Sequence, residues 1–270
     1  MGGENNRPLI LVTNDDGYKA KGLKRLTEIA REFGDVVLIS SVEPMSGMSH
    51  AITINTPLRP KLVKEEQGFK HYILNGTPVD CVKLSFHSLM KRKPDLLLSG
   101  INHGSNASSS IVYSGTMAAV IEGAINRVPS VGFSLCDYSP DADFTLAGEV
   151  ARLVIAGVIK DGLPNGVCLN VNVPVIKSSE FLGLKICRQA DGYWQEEFDK
   201  RVDPLGREYY WLTGYFSDRE PEAEDTDEWA LKNNFASVVP VNIDLTAHDL
   251  VEKMKGWESA KIKDEKGVAL

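Results

Sequence analysis

The sequence predicts an α/β fold, a doubly wound and mostly parallel sheet between two helical layers, followed by a differently patterned C-terminal extension. Short runs of Leu, Ile and Val bounded by turn formers recur along the first 176 residues and read as strands covered on both faces. Between them lie segments whose apolar residues recur at helical spacing, the alternation that parallel crossovers require. Beyond about Lys177, aromatic and charged residues alternate, as expected of exposed hairpins. With 270 residues, 43% hydrophobic and 25% charged, the chain can bury a sizeable core. The division expected is a sheet domain over 1–176 and an extension over 177–270 that packs on the core and on neighbouring subunits.

Leu9 to Thr13 is the first strand, and Leu23, Leu26, Ala30 and Phe33 mark the helix after it. Val36 to Ser40 completes a βαβ unit. A strand-rich insertion follows, with Ala51–Ile54 and His71–Leu74 as candidates. Thr77-Pro78 then supplies a cap and a first-turn proline for a helix with the stripe Val79, Val82, Phe86, Leu89, Met90. Leu96 to Ser99 is a third strand, ending in a Gly- and Asn-rich loop over 100–106. An amphipathic helix begins near Gly115, with Met117, Val120, Ile121, Ala124 and Ile125 on its apolar face. Ser130–Ser134 is a strand, and Leu146, Val150, Leu153, Val154 and Val158 mark a helix. Val167–Val171 is the next strand, terminated by Asn172-Val173-Pro174.

In the extension, Tyr193-Trp194-Gln195 and Glu208 to Thr213 read as a hairpin carrying enough aromatic surface to need a partner, in another subunit or in its own domain. Ser217 to Glu228 reads as a solvated acidic loop without chemistry. Ala236–Val241 adds a late strand, Leu250, Val251, Met254 and Trp257 a closing helix, and the last residues fray.

Thirty basic against 37 acidic residues leave a net charge of −7, so no overall field draws nucleic-acid polymers or anionic membranes, and any phosphate must be held locally. No apolar run reaches the roughly 20 residues of a membrane span, and Met1–Arg7 lacks a signal-peptide core, so a cytoplasmic protein is expected. Cys81, Cys136, Cys168 and Cys187 form no Cys-x-x-Cys pair and read as reduced packing residues.

Three loops follow three parallel strands and converge on one sheet edge: Asn14-Asp15-Asp16, Ser46 to His50, and Asn102 to Asn106. Asp15 and Asp16 offer anionic oxygens, Ser46 and Asn102 neutral ones, a donor set suited to Mg²⁺, Mn²⁺ or Ca²⁺. Asn-Asp-Asp-Gly is also a good turn, and Ser46 and Asn102 equally suit loop hydrogen bonds. Tyr113-Ser114-Gly115-Thr116 precedes a helix, where free N–H groups, two hydroxyls and the positive helix end suit a phosphate; either hydroxyl also suits a plain N-cap. His50 and His103 lie in the site loops as candidate proton donors or phosphate contacts, while His71, His87 and His248 fall in structural segments.

Thr13-Asn14-Asp15-Asp16-Gly17, Ser46 to Thr53, Gly76 to Val82, Ser99 to Asn106 and Tyr113 to Thr116, in this order, resemble the survival protein SurE family of metal-dependent 5′/3′-nucleotidases. The likeness spans nearly the whole chain and takes in Asp225 to Leu231. It implies a Rossmann-like domain and a divalent metal, Mg²⁺ or Mn²⁺, held by Asp15, Asp16, Ser46 and Asn102. Phosphate removal from nucleoside monophosphates is the activity it implies, with Asn14, Asn106, Ser114, Gly115 and Thr116 at the phosphate. It also implies homodimers or homotetramers joined partly through the hairpin. Asn242 stands where relatives often carry histidine, outside the metal motifs.

On this reading water attacks the phosphate while Asp15, Asp16 and Asn102 serve as the catalytic set and Asp15 takes the proton. Two rivals are an aspartyl-phosphate phosphatase, disfavoured because Asn14-Asp15-Asp16 is not Asp-x-Asp, and a non-catalytic nucleotide-binding domain.

Overall fold

In the computed structural model, which describes residues 7–259, Leu9–Thr13 forms strand β1, and Lys21–Phe33 the helix α1. Then come β2 (Asp35–Ser41), β3 (Lys61–Glu66), β4 (Phe69–Leu74), α2 (Pro78–Leu84), β5 (Leu96–His103), α3 (Gly115–Ile125), β6 (Ser130–Leu135), α4 (Thr145–Asp161) and β7 (Val167–Val173). The remainder holds β8 (Gly183–Ile186), β9 (Gly192–Val202), β10 (Glu208–Asp218), α5 (Asp227–Lys232), β11 (Phe235–Asn242) and α6 (His248–Met254). Nine strands make one sheet in the order β3-β4-β2-β1-β5-β6-β7-β11-β8. The run from β4 to β7 is parallel; β3 and β11 join it antiparallel. The chain is thus the expected α/β architecture, and β8 and β11 carry the extension into the same sheet.

The two faces of β1 explain its unbroken apolar run. Ile10 and Val12 pack into a cluster with Leu23 and Leu26 of α1 and Val150 and Ile155 of α4, whereas Leu11 packs oppositely with Val82 of α2 and Met117 and Val120 of α3. Each such fully buried side chain contributes about 1.5–3 kcal/mol relative to exposure. Thr77 caps α2 in a capping box: its Oγ1 accepts from Asp80 N, and the Asp80 carboxylate accepts from Thr77 N and Thr53 N.

Several expectations need correction. Ala51–Ile54 is irregular chain, because Ile52 and Ile54 are exposed and Thr53 is tied to Asp80; the edge strand of that insertion is instead the wholly exposed Lys61–Glu66. The loop expected over 100–106 is strand as far as His103. Helix α3 is not amphipathic but buried on nearly every side, with Glu122 inside and Ile125 outside, and Leu153 of α4 is likewise exposed. Stretch 217–228 is not a solvated loop: Thr226 and Asp227 are fully buried, and Arg188 pairs with Glu220 and Asp225. Helix α6 closes no core, since Leu250, Val251 and Met254 are all exposed. The expected fraying falls on residues 260–270, outside the described residues. Among the described residues no helix is long and apolar enough to cross a membrane, and all four cysteines are free.

The hairpin β9–β10 pairs antiparallel from Gly192–Asp218 to Val202–Glu208 as a separate ribbon. Its aromatics Tyr209, Tyr210, Trp211 and Tyr215 are exposed.

Candidate active site

The carboxyl ends of β1 and β5 and the start of α3 meet at one cavity of about 250 Å³, whose walls include Asp15, Ser46, Asn102, Asn106 and Ser114. Chain reversal after β1 sets the two acids. Asn14 is fully buried and its Nδ2 donates to Gly17 O at 3.0 Å, so it holds the turn rather than facing the cavity. Asp15 turns toward α3: its Oδ1 accepts from Thr116 Oγ1 at 2.5 Å, which leaves Thr116 wholly buried behind it. Gly115 permits this approach, because a Cβ there would stand 2.8 Å from the Asp15 carboxylate. Asp15 is thereby placed against the positive end of α3. Asp16, partly exposed, accepts the His103 N–H at 3.1 Å.

Ser46 lies on an exposed loop anchored by Met45 N donating to Asp15 O at 2.7 Å and by Ser49, whose Oγ donates to Val112 O at 2.8 Å. Asn102 reaches the cavity because the β5–β6 register shifts between Ser99 and Asn102. Gly100 is required within that shift: its φ is +116°, and a Cβ would stand 2.3 Å from Phe133 O. Asn102 Nδ2 donates to Gly104 O at 3.0 Å, which fixes its amide and leaves Oδ1 as the acceptor.

Burial, then the neighbouring Asp16, pushes the Asp15 carboxyl up to about 6, opposed by the Thr116 hydrogen bond. Burial also raises Asp16, opposed by the His103 amide. Neither acid has an ion pair with Lys, Arg or His among the described residues. Two desolvated, mutually repelling carboxylates with neutral hydroxyl and amide oxygens nearby form an environment that a hard divalent cation fits. No three His, Cys, Asp or Glu side chains gather into a metal cluster among the described residues, so any such site rests on two acids and neutral donors.

Of the remaining expected residues, Ser114 is both N-cap and wall: its Oγ accepts from Met117 N at 3.0 Å and retains its own proton to donate. His103 lines the cavity with its ring stacked on Phe144 at 4.9 Å. His50 turns away, its Nε2 lying 3.3 Å from the buried Glu122 carboxylate, which also pairs with Lys83.

Sequence reading missed the network behind Asn106. Asn106 Nδ2 donates to Ser134 Oγ and its N–H to Asn172 Oδ1, both at 2.8 Å. Asn170 Nδ2 donates to Asn106 O at 2.8 Å, and Asn172 Nδ2 to Asn170 Oδ1 at 3.1 Å. Asn170 and Asn172 are buried and share one face of β7, so the signal was there as two amides alternating in an apolar strand. Tyr138 and Trp194 complete the cavity wall and were not expected there either.

A family profile described as "Survival protein SurE" matches residues 10–196. The chain belongs to this family. The protein named 5′-nucleotidase SurE from Christiangramia forsetii is 51% identical over 253 residues, covering 93% of this chain and 97% of that one. Its namesake from Flavobacterium psychrophilum is 48% identical over 257 residues, covering 95% of this chain and 100% of that one. The crystal structure of the SurE protein from Aquifex aeolicus superposes with a TM-score of 0.80 at 36% identity, over 93% of this chain and 100% of that chain. In this SurE-family chain Asp15 and Asp16 follow the carboxyl end of β1, within the parallel run of the sheet.

Proposed function

We propose that this protein is a divalent-metal-dependent phosphomonoesterase that removes phosphate from nucleoside 5′-monophosphates, and from 3′-monophosphates as well. The observation that carries the reading is the uncompensated Asp15–Asp16 pair, set beside Asn102 and the N-terminus of α3, in a chain matching 5′-nucleotidases over nearly its whole length.

Asp15, Asp16, Ser46 and Asn102 would hold the metal. Bound there, Mg²⁺ or Mn²⁺ would supply Lewis-acid polarisation of the phosphoryl group and lower the pKa of a nearby water, which still needs a base to take its proton; Ca²⁺ fits the same donors. Asp15, which faces the cavity with its carboxylate held by Thr116, accepts the proton of the attacking water. Thr116 keeps Asp15 in its rotamer through the short hydrogen bond. Ser114, Asn106 and the first-turn N–H of Gly115 bind the phosphoryl oxygens as negative charge moves toward the leaving group, while the Thr116 N–H and hydroxyl both hold the Asp15 carboxylate. Asn170, Asn172 and Ser134 hold Asn106 for that contact.

The protein works as a homodimer or homotetramer in the cytoplasm, the exposed hairpin aromatics finding their partner in a second copy. The test is phosphate release from 5′-AMP, 5′-GMP, 5′-CMP, 5′-UMP and 3′-AMP with Mg²⁺ or Mn²⁺, against the same assay in excess EDTA. Metal-restored release supports the reading, and full activity in EDTA overturns it.

A further inference from the structure

A second cavity, of about 550 Å³, opens beside the carboxylate cavity and shares with it Ser105, Ser110, Tyr138 and Trp194. The volume accommodates a nucleoside, and the shared residues place the larger space directly beside the cavity that Ser114 lines. Trp194 stands at the junction. Its indole Nε1 donates to Ser110 Oγ at 3.1 Å, and Phe216 meets the indole edge-on at 6.2 Å and 71°. The base of the hairpin is thus tied to the site through Ser110 and carries there a cross-strand aromatic pair, a surface on which any base can stack.

The same cavity is lined by Glu228. Its neighbour Asp227 is spent structurally, accepting from the N–H groups of Ser108, Ala190 and Glu228 itself. Lys232 reaches Asp218 at 3.5 Å. The Glu228 carboxyl, by contrast, lines the cavity and makes no hydrogen bond or ion pair among the described residues. Burial and then Asp227 push it up to about 7, opposed by the charge of Lys232 on the same cavity, so it is a carboxylate that gains from any N–H donors brought to it.

We infer that the larger cavity holds the base of the nucleotide, stacked at Trp194, and that Glu228 reads the base edge with a preference for guanine. This rests on the nucleotidase reading above. Guanine alone among the common bases offers a carboxylate two adjacent donors, N1–H and the 2-amino group, in the bidentate pattern carboxylates accept best. Adenine and cytosine present a donor beside an acceptor lone pair that a carboxylate repels, and uracil a single N–H between carbonyls. A pocket acid built to receive hydrogen bonds rejects a substrate that leaves it unpaired more strongly than an apolar pocket rejects a missing methylene.

The experiment measures kcat/KM at pH 8 for 5′-GMP, 5′-AMP, inosine 5′-monophosphate and ribose 5-phosphate, with the wild type and Glu228→Gln. The wild type should favour GMP over AMP, and over the inosine nucleotide that lacks only the 2-amino group, each by at least about 5-fold. Glu228→Gln, whose amide pairs with adenine, should lower the GMP:AMP ratio by about 10-fold or more; ratios are unaffected by a general loss of active enzyme. If the variant is inactive on everything, the wild-type comparison of GMP with the inosine nucleotide decides alone. Phosphate release with equal use of these two, or with a ratio unmoved by Glu228→Gln, overturns the base assignment. Release from no substrate overturns the nucleotidase reading itself.

Discussion

Asp15→Asn should stabilise the metal-free protein while destroying its activity. Asp15 is almost wholly buried beside a second acid, and its carboxyl is raised from 3.8 to about 6. The folded state therefore prefers the protonated form: the stability is fully present below pH 3.8 and is lost as pH rises through 6. At 1.36 kcal/mol per pH unit the loss reaches about 3 kcal/mol at pH 8, and roughly 1 kcal/mol at pH 4.5. Asparagine carries no charge, and its Oδ1 can still accept from Thr116 Oγ1. In EDTA, thermal unfolding at pH 8 should place Asp15→Asn about 6–12 °C above wild type, with a gap near one third of that in free energy at pH 4.5. Mg²⁺ or Mn²⁺ should then raise the wild type and not the variant. A variant no more stable than wild type at pH 8, or a gap equal at both pH values, would refute the claim that Asp15 is a desolvated, uncompensated carboxylate.

Asp16→Asn should abolish phosphate release with the fold intact, read as kcat beside an unchanged circular dichroism spectrum, because it alters a partly exposed turn rather than the core. Asn170→Ala should cost about 1–3 kcal/mol in urea unfolding, by leaving Asn106 O and Asn172 Nδ2 unpaired, and should also raise KM by loosening Asn106. Deleting residues 201–213, which removes the hairpin tip with exposed Tyr209, Tyr210 and Trp211, should lower the oligomer mass in light scattering while metal binding survives. A wild-type monomer, or an unchanged mass, would place those aromatics outside any interface.

What could be read beforehand was what local chemistry dictates. The run Leu9 to Val12 needs apolar cover on both sides, and it lies between α1/α4 and α2/α3. The strand-end position of Asp15 and Asp16 followed, and with it the convergence of Ser46, Asn102, Asn106 and Ser114. What escaped reading depended on distant partners. Strand β3 has no buried position to produce alternation, so its pairing with β4 leaves no mark in Lys61–Glu66. Ile52 and Ile54 imitate a strand but remain outside the core. Asp227 is buried because three backbone N–H groups from separate segments meet its carboxylate, and no charge count distinguishes it from its solvated acidic neighbours. Glu122 inside α3 is a similar case, paid for by Lys83, Asn126 and His50.

The central claim is that Asp15, Asp16, Ser46 and Asn102 hold one divalent metal at the end of β1. Crystals grown with Mn²⁺ and inorganic phosphate, with diffraction recorded at the manganese edge, test it most directly. The account predicts one anomalous peak per subunit, roughly 2.0–2.3 Å from an oxygen of Asp15 and of Asp16 and next to phosphate at Ser114. Full-occupancy manganese bound elsewhere, with water alone between the two carboxylates, would contradict it.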